Sequence, residues 1–239
     1  EICWIGCEGM TNTTSVIGNQ SKSRVFSASS TDSTYFNQVD SVTGTAIGLS
    51  MPNQTISYLC STTASGTGLW RIISSTTNKI HRQGVMSKTG YVVNSECSIV
   101  PLRIQPDMLF QCYVQPDNSG VNESNLVALV YSNRGVEAFQ TVGSIDGDQS
   151  PLVSIISGLG VGNLLFGSTI SRIEVAGEFG MALDTLTVID AASGNQYTGY
   201  GNYRLPTAGG TSTQMNGVFN MTMPVQKGWV VNVQTTTAV

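Results

Sequence analysis

The residues of this chain that could perform acid–base chemistry are few and poorly spaced for it. The single histidine, His81, is flanked by Lys79 two residues before it and by Arg82 directly after it. A catalytic imidazole needs a carboxylate to orient it, whereas two neighbouring cations disfavour its protonated form. We therefore interpret this segment as an exposed loop without a catalytic role.

Carboxylates offer a second route to catalysis or to metal binding, and their tightest group is Asp146-Gly147-Asp148. A calcium site needs six or more oxygen ligands, and this segment is more typical of an Asp-Gly turn. The sequence predicts no catalytic residue, no cofactor-binding residue and no metal ligand. The chain is therefore predicted not to be an enzyme, and a glycosidase is the enzyme class that the scattered acids leave open.

The cysteines all lie in the first half of the chain. Cys3 and Cys7 are separated by three residues, a spacing that zinc sites rarely use. The other three cysteines are Cys60, Cys97 and Cys112. An odd number excludes a complete set of disulfides, so free thiols and one or two disulfides both remain open.

The composition indicates a surface wetted by hydroxyl and amide groups. Charged residues make up 11% of the chain, and there are 28 serines and 26 threonines. Such surfaces are common in extracellular and virion β-proteins. The net charge is −4 and the basic residues are scattered, so we expect no direct contact with nucleic acid. No apolar run is long enough for a transmembrane helix.

Alternating apolar and polar residues predict strands along the whole chain. The clearest case is near the C-terminus, where Phe219, Met221 and Met223 alternate with polar residues. The pattern breaks at residues 226–228 and resumes at Trp229. This predicts two strands that form either a β-hairpin or a corner between two sheets.

The same arrangement occurs half a chain earlier, where a break before Met108 is followed by alternating apolar residues, as it is before Trp229. Both halves also open on an apolar segment, at residues 1–7 and 126–131. A weaker match pairs residues 63–66 with residues 191–194. Together these matches predict a duplicated β-domain.

We therefore predict an all-β chain with two tandem antiparallel β-sandwich or jelly-roll domains at residues 1–116 and 126–239. A polar segment with Pro and Gly at residues 117–125 is the predicted linker. At most one or two short helices are expected. The best candidate is residues 151–159, where apolar residues are spaced as on a helix after Pro151. A buried strand is the alternative there.

The paired strand segments, the apolar opening strands and the isolated helix resemble viral coat proteins of the jelly-roll kind. Two such domains in tandem resemble the double jelly-roll major capsid proteins of tailless icosahedral viruses. A single jelly-roll shell domain followed by a protruding β-domain is the alternative architecture. Large apolar side chains are expected to fill the cores: Trp4, Trp70, Phe110, Phe166 and Trp229.

The resemblance implies a structural virion protein that assembles with copies of itself into trimers or a larger shell. It also implies a virion or extracellular location, and contacts with other virion proteins and with a host receptor. The alternative from another functional class is a secreted tandem β-sandwich protein, either an adhesin or a carbohydrate-binding surface protein.

Overall fold

The computed structural model describes residues 2–5, 24–28, 34–63, 67–88, 97–115, 126–141, 149–177, 181–190, 193–197 and 215–237. Contacts within the chain divide it into two compact units, Glu1–Pro116 and Asp117–Val239. Regular structure in the described residues consists of strands and two four-residue helices. The prediction of an all-β chain with one or two short helices is confirmed. The predicted linker at 117–125, Asp146-Gly147-Asp148 and Cys7 lie outside the described residues.

The strands of the first unit form two antiparallel sheets, which are joined by a short parallel pairing of Thr62 and Thr63 with Ser87 and Lys88. Its elements are β1 (Ile2–Ile5), β2 (Arg24–Ser27), β3 (Phe36–Asn37), β4 (Val39–Asp40), α1 (Ile47–Ser50), β5 (Thr55–Thr63), β6 (Thr67–Ser74), β7 (Ile80–Lys88), β8 (Cys97–Arg103) and β9 (Met108–Gln115). One sheet has the order β8-β5-β1-β2-β4, and the other has the order β3-β9-β6-β7. The chain crosses from one sheet to the other at Gln38, between β3 and β4.

The second unit is built in the same way. Its elements are β10 (Leu126–Ser132), β11 (Gly135–Thr141), β12 (Gln149–Ser154), α2 (Val161–Leu164), β13 (Thr169–Gly177), β14 (Met181–Asp190), β15 (Gln196–Tyr197), β16 (Met215–Pro224) and β17 (Trp229–Thr237). One sheet has the order β16-β13-β10-β11-β12, and the other has the order β12-β17-β14-β15. Strand β12 belongs to both sheets, since its first half pairs with β17 and its second half with β11.

The antiparallel pairings of the two units agree strand by strand, whereas the parallel pairing of β5 with β7 has no counterpart among the described residues of the second unit. When β1 is equated with β10 and later strands follow in order, every antiparallel neighbour in one unit has its counterpart in the other. Even an irregularity is repeated: β5 shifts register between Ile56 and Tyr58, and β13 shifts register between Ile170 and Arg172. A β-bulge at the same position of the same strand indicates that the units are two versions of one fold.

This order is that of a jelly roll with one strand replaced. In a jelly roll, strands B, I, D and G form one sheet and strands C, H, E and F form the other. Here β2, β5 and β8 take the places of B, D and G, while the strand before B, which is β1, takes the place of I. Strand β10 does the same in the second unit. The predicted all-β, sandwich-like class is confirmed.

Each unit has a core of apolar side chains contributed by both of its sheets. The central strand β10 is rich in aliphatic residues, and Val127 to Val130 are all fully buried, so both of its faces are covered. The equivalent core positions are Phe26 and Phe139, Ile47 and Val161, Met51 and Leu165, Ile56 and Ile170, Leu59 and Ile173, Ile104 and Val225, Met108 and Trp229, and Phe110 and Val231.

Most of the predicted core residues are buried, with one exception. Trp70, Phe110 and Trp229 lie in the cores, whereas Phe166 is 47% exposed. The side chain of Trp4 lies outside the described part of the chain. Phe166 lies two residues after the end of helix α2 and precedes Gly167, whose φ of +71° turns the chain toward β13. The prediction for Phe166 was therefore wrong.

The paired strands at the end of each unit form corners and not hairpins. Strand β16 pairs with β13, whereas β17 pairs with β12 and β14. Strands β8 and β9 behave likewise, since β8 pairs with β5 and β9 pairs with β3 and β6. The two alternatives that the sequence left open are thus decided in favour of the corner.

The helix predicted at residues 151–159 is wrong, because this segment contains the end of β12 and a turn. The Ser154 hydroxyl accepts hydrogen bonds from the N–H groups of Ile156 and Ser157, at 3.3 and 3.2 Å. Such side-chain bonds compete with helical hydrogen bonding. The two helices lie at α1 and α2 instead, each just after this kind of turn.

Two smaller predictions also fail. His81 lies within strand β7 and not in a loop. The match between residues 63–66 and 191–194 is not structural, since Thr63 ends β5 whereas Ser193 follows β14. The true counterpart of Ser193 is Thr77, in the turn between β6 and β7.

A comparison of the two units predicts a stabilising substitution. Gln38 is 1% exposed, and neither atom of its side-chain amide has a hydrogen-bond partner. Its counterpart in the second unit is Leu152, which is buried in the core. Because an unpaired buried amide costs about 1–3 kcal/mol, we expect Gln38→Leu to raise the free energy of unfolding by about that amount in urea titrations. Gln54→Leu, at an exposed position, is the control and should change stability little; a loss of stability in Gln38→Leu would contradict the prediction.

Candidate functional site

The segment that follows the passage of the chain from one sheet to the other, after β4 in the first unit and after β12 in the second, has the same construction in both units. We call residues 40–53 the first corner and residues 154–167 the second corner. These two segments are distinct from the bends between the last two strands of each unit. Each consists of a turn, a one-turn helix and a final residue with left-handed backbone, which is Asn53 with φ +62° or Gly167 with φ +71°. The N–H of that residue donates to a carbonyl in the segment between the last two strands of its unit. Each corner is thereby fixed to the end of its own sandwich.

The turn that opens each corner is closed by equivalent hydrogen bonds. The N–H of Gly44 donates to the carbonyl of Asp40, and the N–H of Gly158 donates to the carbonyl of Ser154, both at 2.8 Å. The two glycines have φ of +68° and +69°, a region that favours glycine over other residues. The sequence therefore specifies this turn locally.

The same turn also closes the β6–β7 and β14–β15 hairpins, where the N–H of Asn78 or Gly194 donates to the carbonyl four residues earlier. In all four turns, a hydroxyl at the fourth position accepts the N–H two residues later. The four turn sequences are DSVTGT (40–45), SSTTNK (74–79), SIISGL (154–159) and DAASGN (190–195). This recurring Asp/Ser-x-x-Ser/Thr-Gly/Asn pattern is the sequence signal that could have located the corners.

The helix of each corner lies directly against backbone from the far end of the unit. At Gly48, a Cβ atom would lie 2.7 Å from the carbonyl oxygen of Gln105 and closer still to that of Pro106. At the equivalent Gly162, a Cβ atom would overlap the backbone of Trp229. Only glycine allows this approach, so both corners are held by the same close backbone contact.

The first corner contains a buried carboxylate that organises its turn. The Asp40 side chain is fully buried and lies 3.5 Å from the guanidinium of Arg24. It accepts hydrogen bonds from the hydroxyl of Ser50 and from the N–H groups of Val42 and Thr43, at 2.8 and 3.4 Å for the N–H groups. Burial by itself raises the pKa of Asp40, but these hydrogen bonds and Arg24 hold it below its ordinary value.

The corners concentrate exposed apolar surface. Among the described residues, large apolar side chains are strongly exposed at eight positions, and five of these lie in the two corners. They are Val42 (80% exposed) and Leu49 (66%) in the first corner, and Ile156 (68%), Leu159 (45%) and Phe166 (47%) in the second. Val42 and Ile156 occupy the same position of their turns. Each unit thus presents an apolar group at the same place on its fold.

Two half-buried tyrosine rings among the described residues are each covered by an arginine side chain. The guanidinium of Arg172 lies 3.8 Å from the ring centroid of Tyr131, and that of Arg71 lies 3.6 Å from the ring centroid of Tyr35. Arg172 also pairs with Glu174 at 3.0 Å, and the Tyr131 hydroxyl donates to the same carboxylate at 3.0 Å. Burial and the Glu174 carboxylate raise the pKa of Tyr131, so this phenol remains a proton donor.

The polar side chains that the fold brings near His81 are not arranged as a nucleophile and its base. The Ser74 hydroxyl donates to Asp107 Oδ2 at 2.5 Å, and this hydrogen bond lowers the pKa of Asp107. A serine nucleophile donates instead to an imidazole, which the carboxylate in turn orients. Here the carboxylate accepts the hydrogen bond of the hydroxyl directly, and Ser74 Oγ in turn accepts the N–H of Thr77 in the turn between β6 and β7.

The described part of the chain contains no group of three or more His, Cys, Asp or Glu side chains that could hold a metal ion. Nor does any helix within it have the length and apolar character to cross a membrane. Comparison with protein-family models, with curated proteins and with solved structures finds no match for the chain. The function is therefore inferred from contacts within the chain itself.

The close helix contact predicts a position-dependent effect of alanine. We expect Gly48→Ala to lower the free energy of unfolding by about 2 kcal/mol or more, because its Cβ would overlap backbone that cannot move aside. Gly160→Ala is a matched control in the second corner, since its Cβ would meet nothing within 4 Å. Chemical denaturation of both variants checks this, and equal stabilities would show that the contact is not tight.

The Asp40 carboxylate predicts a component of acid sensitivity. Because its folded-state pKa lies below the ordinary value of 3.8, ionised Asp40 stabilises the fold above that pH. The stabilisation is lost as the pH falls through the folded-state pKa. We expect Asp40→Asn to be less stable than the wild type at neutral pH, and the difference to shrink under acid. Urea unfolding between about pH 7 and pH 3 measures this; a difference that stays constant with pH would refute it.

Proposed function

We propose that this chain is a structural subunit that assembles with copies of itself into a virion shell. The observation that carries the proposal is the repetition of exposed apolar side chains, Val42 and Leu49 in the first corner and Ile156, Leu159 and Phe166 in the second. Exposed apolar groups that cluster at one place on a fold are typical of interaction surfaces. Their presence at equivalent places in both units indicates contacts that are used twice.

Two equivalent surfaces on one chain fit the requirements of an extended assembly. A contact between unlike surfaces of neighbouring copies generates rings or open arrays, depending on the rotation between subunits. A chain with the same corner on each unit can make similar contacts with two neighbours. Burying the corner side chains would gain about 25 cal/mol for each square ångström of apolar surface removed from water.

The remaining surface is compatible with such an assembly. Its charged fraction of 11% is low and its net charge is −4, so copies repel one another only weakly at physiological salt. The partners we propose are copies of this chain in trimers or a larger shell, together with other virion proteins and a host receptor. The proposed location is the virion or the extracellular space, in keeping with the resemblance to jelly-roll capsid proteins.

The alternative function, a secreted adhesin or carbohydrate-binding protein, has less support. Proteins of that class commonly stack sugars on an open aromatic face. The rings of Tyr131 and Tyr35 each carry a guanidinium at short range, 3.8 and 3.6 Å from their centroids. A sugar would have to displace Arg172 or Arg71 to reach these faces.

The proposal predicts that the purified chain forms closed or symmetric oligomers through its corners. We expect the double variant Val42→Asp/Ile156→Asp to weaken association by roughly tenfold or more, because it places charge in an apolar contact. Native mass spectrometry and electron microscopy of the wild type and the variant measure this.

Val218→Asp is the matched control for the corner variants. Val218 is 59% exposed in β16 and lies outside both corners, so this substitution should leave assembly unchanged. A wild type that remains monomeric at all concentrations, or a control that disrupts assembly as strongly as the corner variants, would overturn the proposal. A monomer that binds glycans would favour the alternative function.

A further inference from the structure

The sheet register of the first unit places two cysteines directly opposite each other. Cys60 in β5 pairs with Cys97 in the neighbouring antiparallel strand β8. Opposed residues in an antiparallel pair have Cα atoms about 4.5–5.5 Å apart. Disulfides join residues whose Cα atoms are about 4.4–6.8 Å apart. The backbone therefore already holds this pair at the separation that a disulfide needs.

The same register separates the other described cysteines from this pair. Cys3 in β1 lies opposite Ser61 and Phe26, whereas Cys60 lies opposite the next residue of β1, Trp4. Successive positions of a strand belong to opposite faces of the sheet, so Cys3 is not a cross-strand partner of Cys60. Cys112 lies in β9, in the other sheet, and is fully buried.

A covalent link at this position would hold an edge strand to its sheet. Strand β8 lies at the edge of its sheet and pairs, among the described strands, with β5 alone over five residue pairs. Pro101 within β8 removes one backbone donor. Among the described strands, this edge strand is thus held to the sheet on one side only.

The second unit shows where this pair lies on the fold. By register, Cys60 and Cys97 correspond to Glu174 and Val218. Val218 is 59% exposed, and the Glu174 carboxylate pairs with the partly exposed Arg172. In the second unit, these register positions belong to the outer face of the sheet and not to the core.

We propose that Cys60 and Cys97 form a disulfide that locks the edge strand β8 to β5. In the reaction, the two thiols lose two protons and two electrons as the S–S bond forms. A low-molecular-weight disulfide, such as oxidised glutathione, accepts both and is split into two thiols. The chain folds as the dithiol under reducing conditions and is locked after exposure to an oxidising compartment. This inference is independent of the proposed function.

Tryptic peptide mapping tests the linkage directly, because the cleavage sites place these cysteines in separate peptides. Cys60 is the sole cysteine of residues 25–71, Cys97 of residues 89–103 and Cys112 of residues 104–134, while Cys3 and Cys7 share residues 1–22. Native protein is equilibrated with oxidised glutathione, denatured with an alkylating reagent present, and digested. We expect peptides 25–71 and 89–103 to be joined. Alkylation of both peptides, or a link to any other cysteine peptide, overturns the proposal.

A thermal measurement separates this link from other effects of cysteine substitution. We expect reductant to lower the unfolding midpoint of the oxidised wild type by roughly 5–10 °C, and to have no effect on Cys97→Ser. Cys112→Val is the control, because valine occupies the equivalent register position at Val233. This variant should keep the response to reductant. A wild type whose midpoint does not respond, or a Cys97→Ser variant that responds like the wild type, overturns the proposal.

Discussion

Each unit of this protein depends on one close backbone contact, in which a one-turn helix lies against the segment that joins the last two strands. Gly48 in the first unit and Gly162 in the second make this contact, and a Cβ atom would prevent both. The contact fixes the place where the chain crosses from one sheet to the other.

The repetition of this contact explains the other equivalences between the units. Once the crossing strand, the corner and the last strand are fixed together, the remaining strands can add only in the order that buries their apolar faces. The core positions then match, as Phe26 matches Phe139. Two equivalent positions differ between the units. The first unit has Gln38 where the second has the core residue Leu152, and it has Asp40 where the second has Ser154 at the start of the turn. In the first unit both positions carry buried polar side chains: Asp40 is hydrogen-bonded, whereas the amide of Gln38 has no hydrogen-bond partner.

The functional proposal follows from the surfaces that this construction exposes. The corners must leave the body of the sandwich in order to turn the chain, so their tips are available to neighbours. Val42 and Ile156 occupy those tips. An apolar residue there contributes nothing to the core of its own unit, and we propose that it contacts a neighbouring copy of the chain. Charged clusters such as Arg172 and Glu174 are instead engaged with each other.

The sequence by itself determined the all-β class, many of the strands and the existence of two related halves, because side-chain alternation is a local property that the chain records directly. It did not determine which strands pair, that the final strands form corners, or that Ile156 and Phe166 face solvent. Apolar spacing at residues 151–159 fits a helix equally well, and the hydroxyl of Ser154 and the backbone of Gly158 decide against it. Partner choice depends on contacts between distant residues, and only the tertiary structure brings those residues together.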